Sequence, residues 1–566
     1  MQHKVWVCKD VDESEVDKLA GSACISRVMA KVFVSRGILD SDYVKSFIKP
    51  DVGKMHDPFL MDGMETAVER IMQAVNGREG ILVFGDYDVD GIASTSILYH
   101  FLKALGAEVQ YFIPDRIEDG YGLSMTTAEK VAKLSVSLVI TVDCGITSVD
   151  EVQWLQESGI QVIVTDHHQC KEVLPKAAAV INPHKPGCEY PFKELAGAGV
   201  ALKLVQALCA KTGYLNAYKR YMDLAALATI ADVVPLVGEN RLIAGFGLVA
   251  MEKSKNQGLK ALIKEAGFGG KPLTAYHAAF GLAPRINAAG RLGSAIRGVQ
   301  LFTADSQVLA EALAKELDNE NKCRQDTESQ IIDEAIATVE KEMDPEREKV
   351  LIVSGEGWHH GVIGIVASKI LEKYNRPCIV ISVENGIGKG SGRSLKCFNL
   401  FAALTHCGHL MDKFGGHEMA AGLTIQADKI NELRSCINAY ADSVLTDDDL
   451  VPNIKVDAFL DRNDLSLQSV KELTYLAPFG AGNPGPVFGY RGLTVVDARL
   501  LSEGKHLKLS LFDGSQKVDA IGFNMGELAD ECIVGNRVDA VFSLEVNQWN
   551  GSSKLQLNLK DIKVGT

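Results

Sequence analysis

A multidomain α/β protein built around a parallel sheet is the architecture this sequence predicts, on three observations. Between about residues 66 and 235, short apolar runs alternate with helical patterns, as strands joined by crossover helices do. The same alternation starts afresh at Lys349-Val350-Leu351-Ile352-Val353. From about residue 450 the period becomes two. Leu507, Leu509 and Leu511, then Leu555, Leu557 and Leu559, alternate with polar residues as half-buried antiparallel strands require.

Residues 1–65 read as a mixed leader packing on the first domain, which is expected over 66–250. Its first strand is Ile81-Leu82-Val83-Phe84, and a helix from Ile92 to Leu105 leads to the second. The third strand is Leu138 to Val142, a helix covers Val149 to Glu157, and the fourth strand is Val162-Ile163-Val164-Thr165. Residues 251–345 form a helical connector. Its later part, Val308 to Glu342, is rich in Ala, Glu, Lys and Leu and is closed by Asp344-Pro345, so one long connecting helix is expected. The second α/β unit occupies 346–445, with a helix to Tyr374, a strand at Cys378 to Ser382 and a glycine-rich loop over Gly388 to Ser394. A small β-domain fills 450–566.

At 566 residues the chain exceeds what one core serves, and three or more domains are expected. No apolar run reaches the roughly 18–20 residues that span a bilayer. Met1-Gln2-His3-Lys4-Val5-Trp6 lacks the apolar stretch of a secretory signal, so a cytoplasmic place with no membrane contact is expected. The 12 cysteines include no C-x-x-C pair. Cys397, His406, Cys407 and His409 lie close together but fit no usual zinc spacing. The net charge of −14 argues against non-specific coating of duplex DNA and leaves a local basic groove open.

Chemistry concentrates at the strand ends. The first strand runs into Gly85-Asp86-Tyr87-Asp88-Val89-Asp90-Gly91, the third stops at Asp143-Cys144-Gly145, and the fourth at Asp166-His167-His168. Parallel sheets gather ligands beyond the carboxyl ends of their strands, so three strands would deliver carboxylates and imidazoles to one crevice. Asp86, Asp88 and Asp90 alternate along an expected extended turn, and the following helix start favours a phosphate. Asp232 lies inside an apolar helical pattern, where a buried carboxylate needs a partner. Crowded carboxylates repel unless cations separate them, and this oxygen-rich set suits Mn²⁺ or Mg²⁺ better than zinc. Two such ions about 3.5–4 Å apart clamp both oxygens of a displacement at phosphorus, and a metal-dependent hydrolase is the first hypothesis.

Gly-Asp-Tyr-Asp-Val-Asp-Gly, Val142-Asp143-Cys144-Gly145 and Thr165-Asp166-His167-His168, in that order, resemble the DHH phosphoesterase superfamily. The resemblance continues through Arg116 to Gly122, Ile181-Asn182-Pro183, Ala228 to Pro235 and Gly281 to Arg291. It ends with Ser391-Gly392-Arg393 and Phe414 to Gly422, which look like the DHH-associated domain. Within the superfamily the chain is similar to the single-strand-specific 5′→3′ exonucleases over nearly its whole length.

That resemblance implies a parallel-sheet DHH domain, a long connecting helix, a second α/β DHH-associated domain and an oligonucleotide-binding (OB-like) β-barrel at the C-terminus. The residues alone leave open which aspartates bind metal; the resemblance places two Mn²⁺ or Mg²⁺ ions on Asp88, Asp90, Asp143, His167 and Asp232. Asp86 supports them, and His168 touches the scissile phosphate. Arg116 and Tyr121, beyond the second strand, can fork onto a phosphate and stack on a base. Ser391 and Arg393 would join Arg116 on the terminal 5′-phosphate, which measures the strand from its end. Arg285, Asn287 and Arg291 would line the path near the scissile phosphate, His417 would face the cleft, and Trp358-His359 has similar standing. Lys505, His506, Lys508 and Trp549 are the candidates for strand contacts on the β-domain.

The implied activity is 5′→3′ exonucleolysis of single-stranded DNA bearing a 5′-phosphate, serving recombination and repair. A single-strand-binding protein and a helicase are the expected partners, and a monomer the expected state. The rival readings are a DHH phosphodiesterase of small or short nucleotides and a non-catalytic strand-binding scaffold. The extra β-domain and the arginine set oppose the first, and the filled ligand positions oppose the second.

Overall fold

The computed structural model describes residues 4–116, 119–120, 122–345, 347–549 and 552–564; the side chains of Leu292, Gln548, Trp549 and Ser552 are outside the description. The chain divides into two compact units, residues 52–445 with 480–483, and residues 1–51 with 446–479 and 484–566.

In the larger unit, β1 (Ile81–Phe84) is followed by α1 (Val89–Ala104), β2 (Val109–Phe112), β3 (Leu138–Val142), α2 (Val149–Glu157), β4 (Gln161–Thr165) and β5 (Ala179–Ile181). The strands form one parallel sheet in the order β2-β1-β3-β4-β5. Its central strands are buried on both faces. Ile81, Val83, Leu138, Ile140 and Ile163 enter one core, while Leu82, Phe84, Val139, Val162 and Val164 enter another. Consecutive side chains on a strand point to opposite faces, so uninterrupted apolar runs place helices on both sides. The first face is covered by α1, by α3 (Gly197–Thr212) and by the neighbouring α4 (Met222–Ala231) and α5 (Gly238–Glu252).

Two local expectations change. Asp86, Asp88 and Asp90 do not lie on an extended turn. The Asp88 carboxylate accepts from the N–H groups of Asp90 (2.9 Å) and Gly91 (3.1 Å), so α1 begins at Val89 with Asp88 as its cap. Asp232 is not inside a helix but caps the C-terminal end of α4.

Next come α6 (Ala283–Leu292) and α7 (Gln307–Glu342). The latter has 36 residues, hence a length of roughly 54 Å. Ala310, Leu313, Ala314 and Leu317 belong to the first core, while Ile331, Ala335 and Val339 belong to the core of the second α/β module. That module contains β6 (Leu351–Glu356), α8 (His360–Tyr374), β7 (Cys378–Glu384), β8 (Ile387–Arg393), β9 (Met411–Gly416) and β10 (Ala420–Gln426), ordered β9-β10-β8-β7-β6. The expected glycine-rich loop is therefore strand β8, paired antiparallel with both β7 and β10. Its glycines serve packing: a Cβ at Gly388 would lie 2.8 Å from Ile381, and one at Gly392 2.6 Å from Leu400. The ladders to both neighbouring strands use these backbone groups.

In the smaller unit, β11 (Phe488–Leu501), β12 (His506–Phe512), β13 (Lys517–Gly522), β14 (Arg537–Trp549) and β15 (Ser552–Val564) run in the order β11-β12-β13-β15-β14 and close through β11 and β14. Leu507, Leu509, Leu511 and Leu557 are buried inside, as the period of two predicts. The leader differs from expectation. Val16, Leu19, Val32, Phe33, Val44 and Phe47 share their core with the barrel, and only the segment from Val52 joins the first domain. The amphipathic faces of helices Glu13–Ala23, Arg27–Ser35 and Ser41–Ile48 need an apolar partner, and nothing in their periodicity names which domain supplies it.

Candidate active site

The site lies beyond the carboxyl ends of β1, β3 and β4, where α1 and α3 begin and α4 ends. Each approach is unusually close. A Cβ on Gly91 would lie 2.5 Å from the Asp86 carbonyl oxygen, and one on Gly197 2.6 Å from Asp143 Oδ1. The first N–H groups of α3, on Gly197 and Ala198, donate to Asp90 at 2.7 Å each. At the end of β3, Asp143 has φ 60°, a left-handed conformation that costs a non-glycine residue about 1–2 kcal/mol and re-aims its carboxylate.

Around His167 three carboxylates converge: its Nε2 stands 3.1 Å from Asp143 Oδ1, 3.7 Å from Asp232 Oδ2 and 3.8 Å from Asp90 Oδ2. Burial and the neighbouring charge of His168 push His167 down to about 4, and its ring bonds the Leu195 backbone. Its Nε2 therefore presents a lone pair. Neither that nitrogen nor Asp143 Oδ1 has a hydrogen-bond partner. Burial, then the charge of Asp88, pushes both Asp86 and Asp232 up to about 7. Burial and neighbouring carboxylates also push Asp90 and Asp143 upward. Asp232 further sits at the negative end of a helix dipole. Buried acceptors aimed at one another without donors form a cation site. Asp90, His167 and Asp232 form one group with ligand atoms within 4.8 Å, and Asp86, Asp88 and Asp143 another. The donor set fits two divalent cations.

His168 differs from its neighbour. Its Nδ1 donates to Asp166 Oδ1 at 2.7 Å. Burial alone would lower it, but that bond and the Asp166 charge raise it to about 9. Buried Asp166 also accepts from the N–H groups of His167 (2.7 Å), His168 (3.1 Å) and Ile146 (2.9 Å). It thereby orients the whole end of β4.

A basic cluster adjoins the acidic one. The Arg116 guanidinium lies 5.2 Å over the ring of Tyr87, which sits in sequence between Asp86 and Asp88. Burial, then Arg116, Arg324 and Arg393, pushes Arg291 down to about 10; burial and Arg116 lower Arg393. Arg291 donates to the Gly361 carbonyl of the second module at 2.9 Å, and Arg393 to Ser391 Oγ at 3.3 Å. A Cβ on Gly364 would stand 3.0 Å from both Ser391 Oγ and Arg393 Nη2, so a glycine on α8 leaves room for them. Mutually repelling guanidinium groups are relieved by an anion.

Other expected positions have internal partners. Arg285 is held by Asp318 at 2.9 Å and by the Gly281 carbonyl, which fastens α6 to α7. Asn287 Oδ1 accepts from the Val89 N–H at 3.1 Å, so it anchors the start of α1, and the free helix start expected for a phosphate is already occupied. Trp358 is buried and donates to Glu334, while His359 caps α8. His417 is exposed beyond β9. Lys505 is exposed in the β11–β12 turn, where His506 accepts from the Asn524 N–H, and Lys508 is half-buried on β12. Tyr121 and the side chain of Trp549 fall outside the described residues. Tyr87, Gly197 and Ala198, not singled out from sequence, also border the site, through Arg116 and Asp90. Gly197-Ala198-Gly199 opening a helix was the available signal.

Family models match in the order this geometry leads one to expect: the DHH family N-terminal domain over residues 80–229, the DHHA1 domain over 347–443 and the RecJ OB domain over 456–561. Sheet, strand-end carboxylates and histidine pair define a DHH phosphoesterase. The single-stranded-DNA-specific exonuclease RecJ of Bacillus subtilis is 40% identical over 563 residues, covering 99% of this chain and 71% of that protein. The structure of RecJ in complex with Mn²⁺ from Thermus thermophilus superposes with a TM-score of 0.85 at 32% identity, covering 99% of this chain and 79% of that one. Its complex with Mg²⁺ gives 0.79 at 31%, covering 99% and 78%. The chain belongs to the RecJ family.

Proposed function

We infer that this protein hydrolyses single-stranded DNA stepwise from a 5′-phosphorylated end, with two Mn²⁺ or Mg²⁺ ions, in recombination and repair. The observation that carries this reading is the unpartnered acceptor cluster of Asp143 and His167 lying beside a cluster of arginines, in a chain of this family.

Asp88, Asp90, Asp143, His167 and Asp232 would hold the ions, with Asp86 behind them. Bound there, the ions activate water and offset charge on the phosphate. The protein's own groups do the rest. Asp166 keeps His168 protonated, which leaves the ring a donor for a phosphate oxygen. Arg116, Arg393 and Ser391 would take the terminal phosphate, and Arg291 the backbone. A strand held by its end would present its scissile phosphate at a fixed spacing from that end, which favours exonucleolytic cleavage. Lys505, Lys508 and Trp549 would extend strand binding over the barrel. A helicase and a single-strand-binding protein would supply the strand, with the chain working as a cytoplasmic monomer.

The test is incubation with Mn²⁺ and a 3′-labelled, 5′-phosphorylated single strand, beside a blunt duplex, pyrophosphate and a dinucleotide. Shortening of the single strand from its 5′ end with the duplex spared is expected. Turnover of the small substrates alone would overturn the assignment in favour of a small-nucleotide phosphodiesterase. Strand binding without cleavage under any divalent metal would leave a scaffold.

A further inference from the structure

The loop joining α4 to α5 leaves Asp232 through Val233 at φ 62° and enters α5 through Gly238 at φ 49°. Val233 is β-branched and 69% exposed, so packing does not hold it in this unfavourable conformation. Strain of this kind persists only where the surroundings over-determine the backbone. The surroundings here are polar. Asn240, on the first turn of α5 and fully buried, donates from Nδ2 to the Pro235 carbonyl at 3.1 Å and to the Glu194 carbonyl. Two carbonyls facing the same atom fix which end of the amide is the NH₂.

Those two carbonyls belong to different walls of the site. Pro235 is three residues beyond Asp232. Glu194 precedes Leu195, whose backbone bonds the His167 ring, and stands three residues before Gly197, whose N–H grips Asp90. One side chain thus spans the segment that aims Asp232 and the segment that aims His167 and Asp90. Its neighbour Glu239 secures the same corner, accepting from Lys203 Nζ (3.0 Å), the His56 N–H (3.0 Å) and the Tyr190 hydroxyl.

We propose that Asn240 is a positioning residue for the metal centre: it sets the spacing between Asp232 and the Asp90–His167 pair, and so the affinity for the divalent cations. This rests on the two-cation reading above. Residues that support ligands from behind typically change metal affinity 10–100-fold when lost.

The experiment is calorimetric titration of Mn²⁺ into the metal-stripped full-length protein, for wild type, Asn240→Ala and Asn240→Ser, the last keeping a single donor should the alanine variant fold poorly. Ser254→Ala is the control. It removes a buried hydrogen bond to Asp223 (2.6 Å) at the far end of α4, a loss of similar kind away from the site. Expected are a Kd for Mn²⁺ raised at least about tenfold in Asn240→Ala, an intermediate rise in Asn240→Ser and none in Ser254→Ala. Cleavage at saturating Mn²⁺ should return to within about threefold of wild type, with KM for the strand unchanged. Wild-type Mn²⁺ affinity in both Asn240 variants, with only Tm lowered, would overturn the proposal and leave a purely structural amide. A wild-type chain taking up no Mn²⁺ would overturn the two-cation reading together with it.

Discussion

The first domain contains two buried polar clusters of opposite character. Glu239 and Lys203 partner each other: Lys203 is fully buried, yet its Nζ meets Glu239 and the His56 carbonyl at 3.0 and 2.6 Å. Around His167, three carboxylates gather and the ring nitrogen among them lacks a proton to offer. Burying a polar group costs little when it is paired and several kcal/mol when it is not. The first cluster therefore holds helices together. The second is held open at a cost that cations offset.

The comparison predicts opposite responses to single substitutions. Asp143→Asn should reduce cleavage by more than about a thousandfold, beyond the 10–100-fold typical of supporting residues, while the metal-free protein melts no lower than wild type. Cleavage assays paired with thermal unfolding in chelator check this, and near-normal activity would refute the two-cation assignment. Lys203→Met should do the reverse. By stranding Glu239 it should cost roughly 3–5 kcal/mol of stability, seen as a lower denaturant midpoint, with activity per folded molecule largely kept. Should both variants lose stability alike, the contrast between the clusters is wrong.

Smaller effects sharpen the reading of the arginines. Arg393→Ala should weaken use of 5′-phosphorylated strands by about 10–100-fold, as loss of a charge-assisted hydrogen bond worth roughly 1.5–3 kcal/mol requires. It should scarcely affect 5′-hydroxyl strands, so equal losses on both would remove the end-measuring role. Lys508→Ala on the barrel should give the least change, a modest loss of affinity and a salt slope smaller by about one. Binding measured across a salt series would show it.

Much of this was legible beforehand because it is written in short-range pattern. Uninterrupted apolar runs marked β1, β3 and β4, and Asp143, Asp166 and His167 follow them directly, so their convergence at one sheet edge required only the rule for parallel strands. The glycine-rich stretch at 388–394 misled for a physical reason. Glycine signals either a turn or a neighbour too close for a Cβ, and only Ile381 and Leu423, brought there by the flanking strands, and Leu400, at the start of a helix, decide for the second. Arg285 and Asn287 read as strand contacts because an exposed arginine and a committed one look alike until Asp318 and Val89 are placed beside them.

By itself, then, the sequence determined the parallel sheet, the long helix, the barrel's alternation and the roster of acidic and imidazole groups, since each depends on local period or on adjacency to a strand end. Tertiary structure alone decided that Asp88 uses one oxygen as a helix cap, that Asp143 and Val233 sit in left-handed backbone, that the leader helices join the barrel's core and that Asn240 bridges two loops. Those features depend on partners far away in the chain, and a close approach between distant segments leaves no periodic trace in either of them.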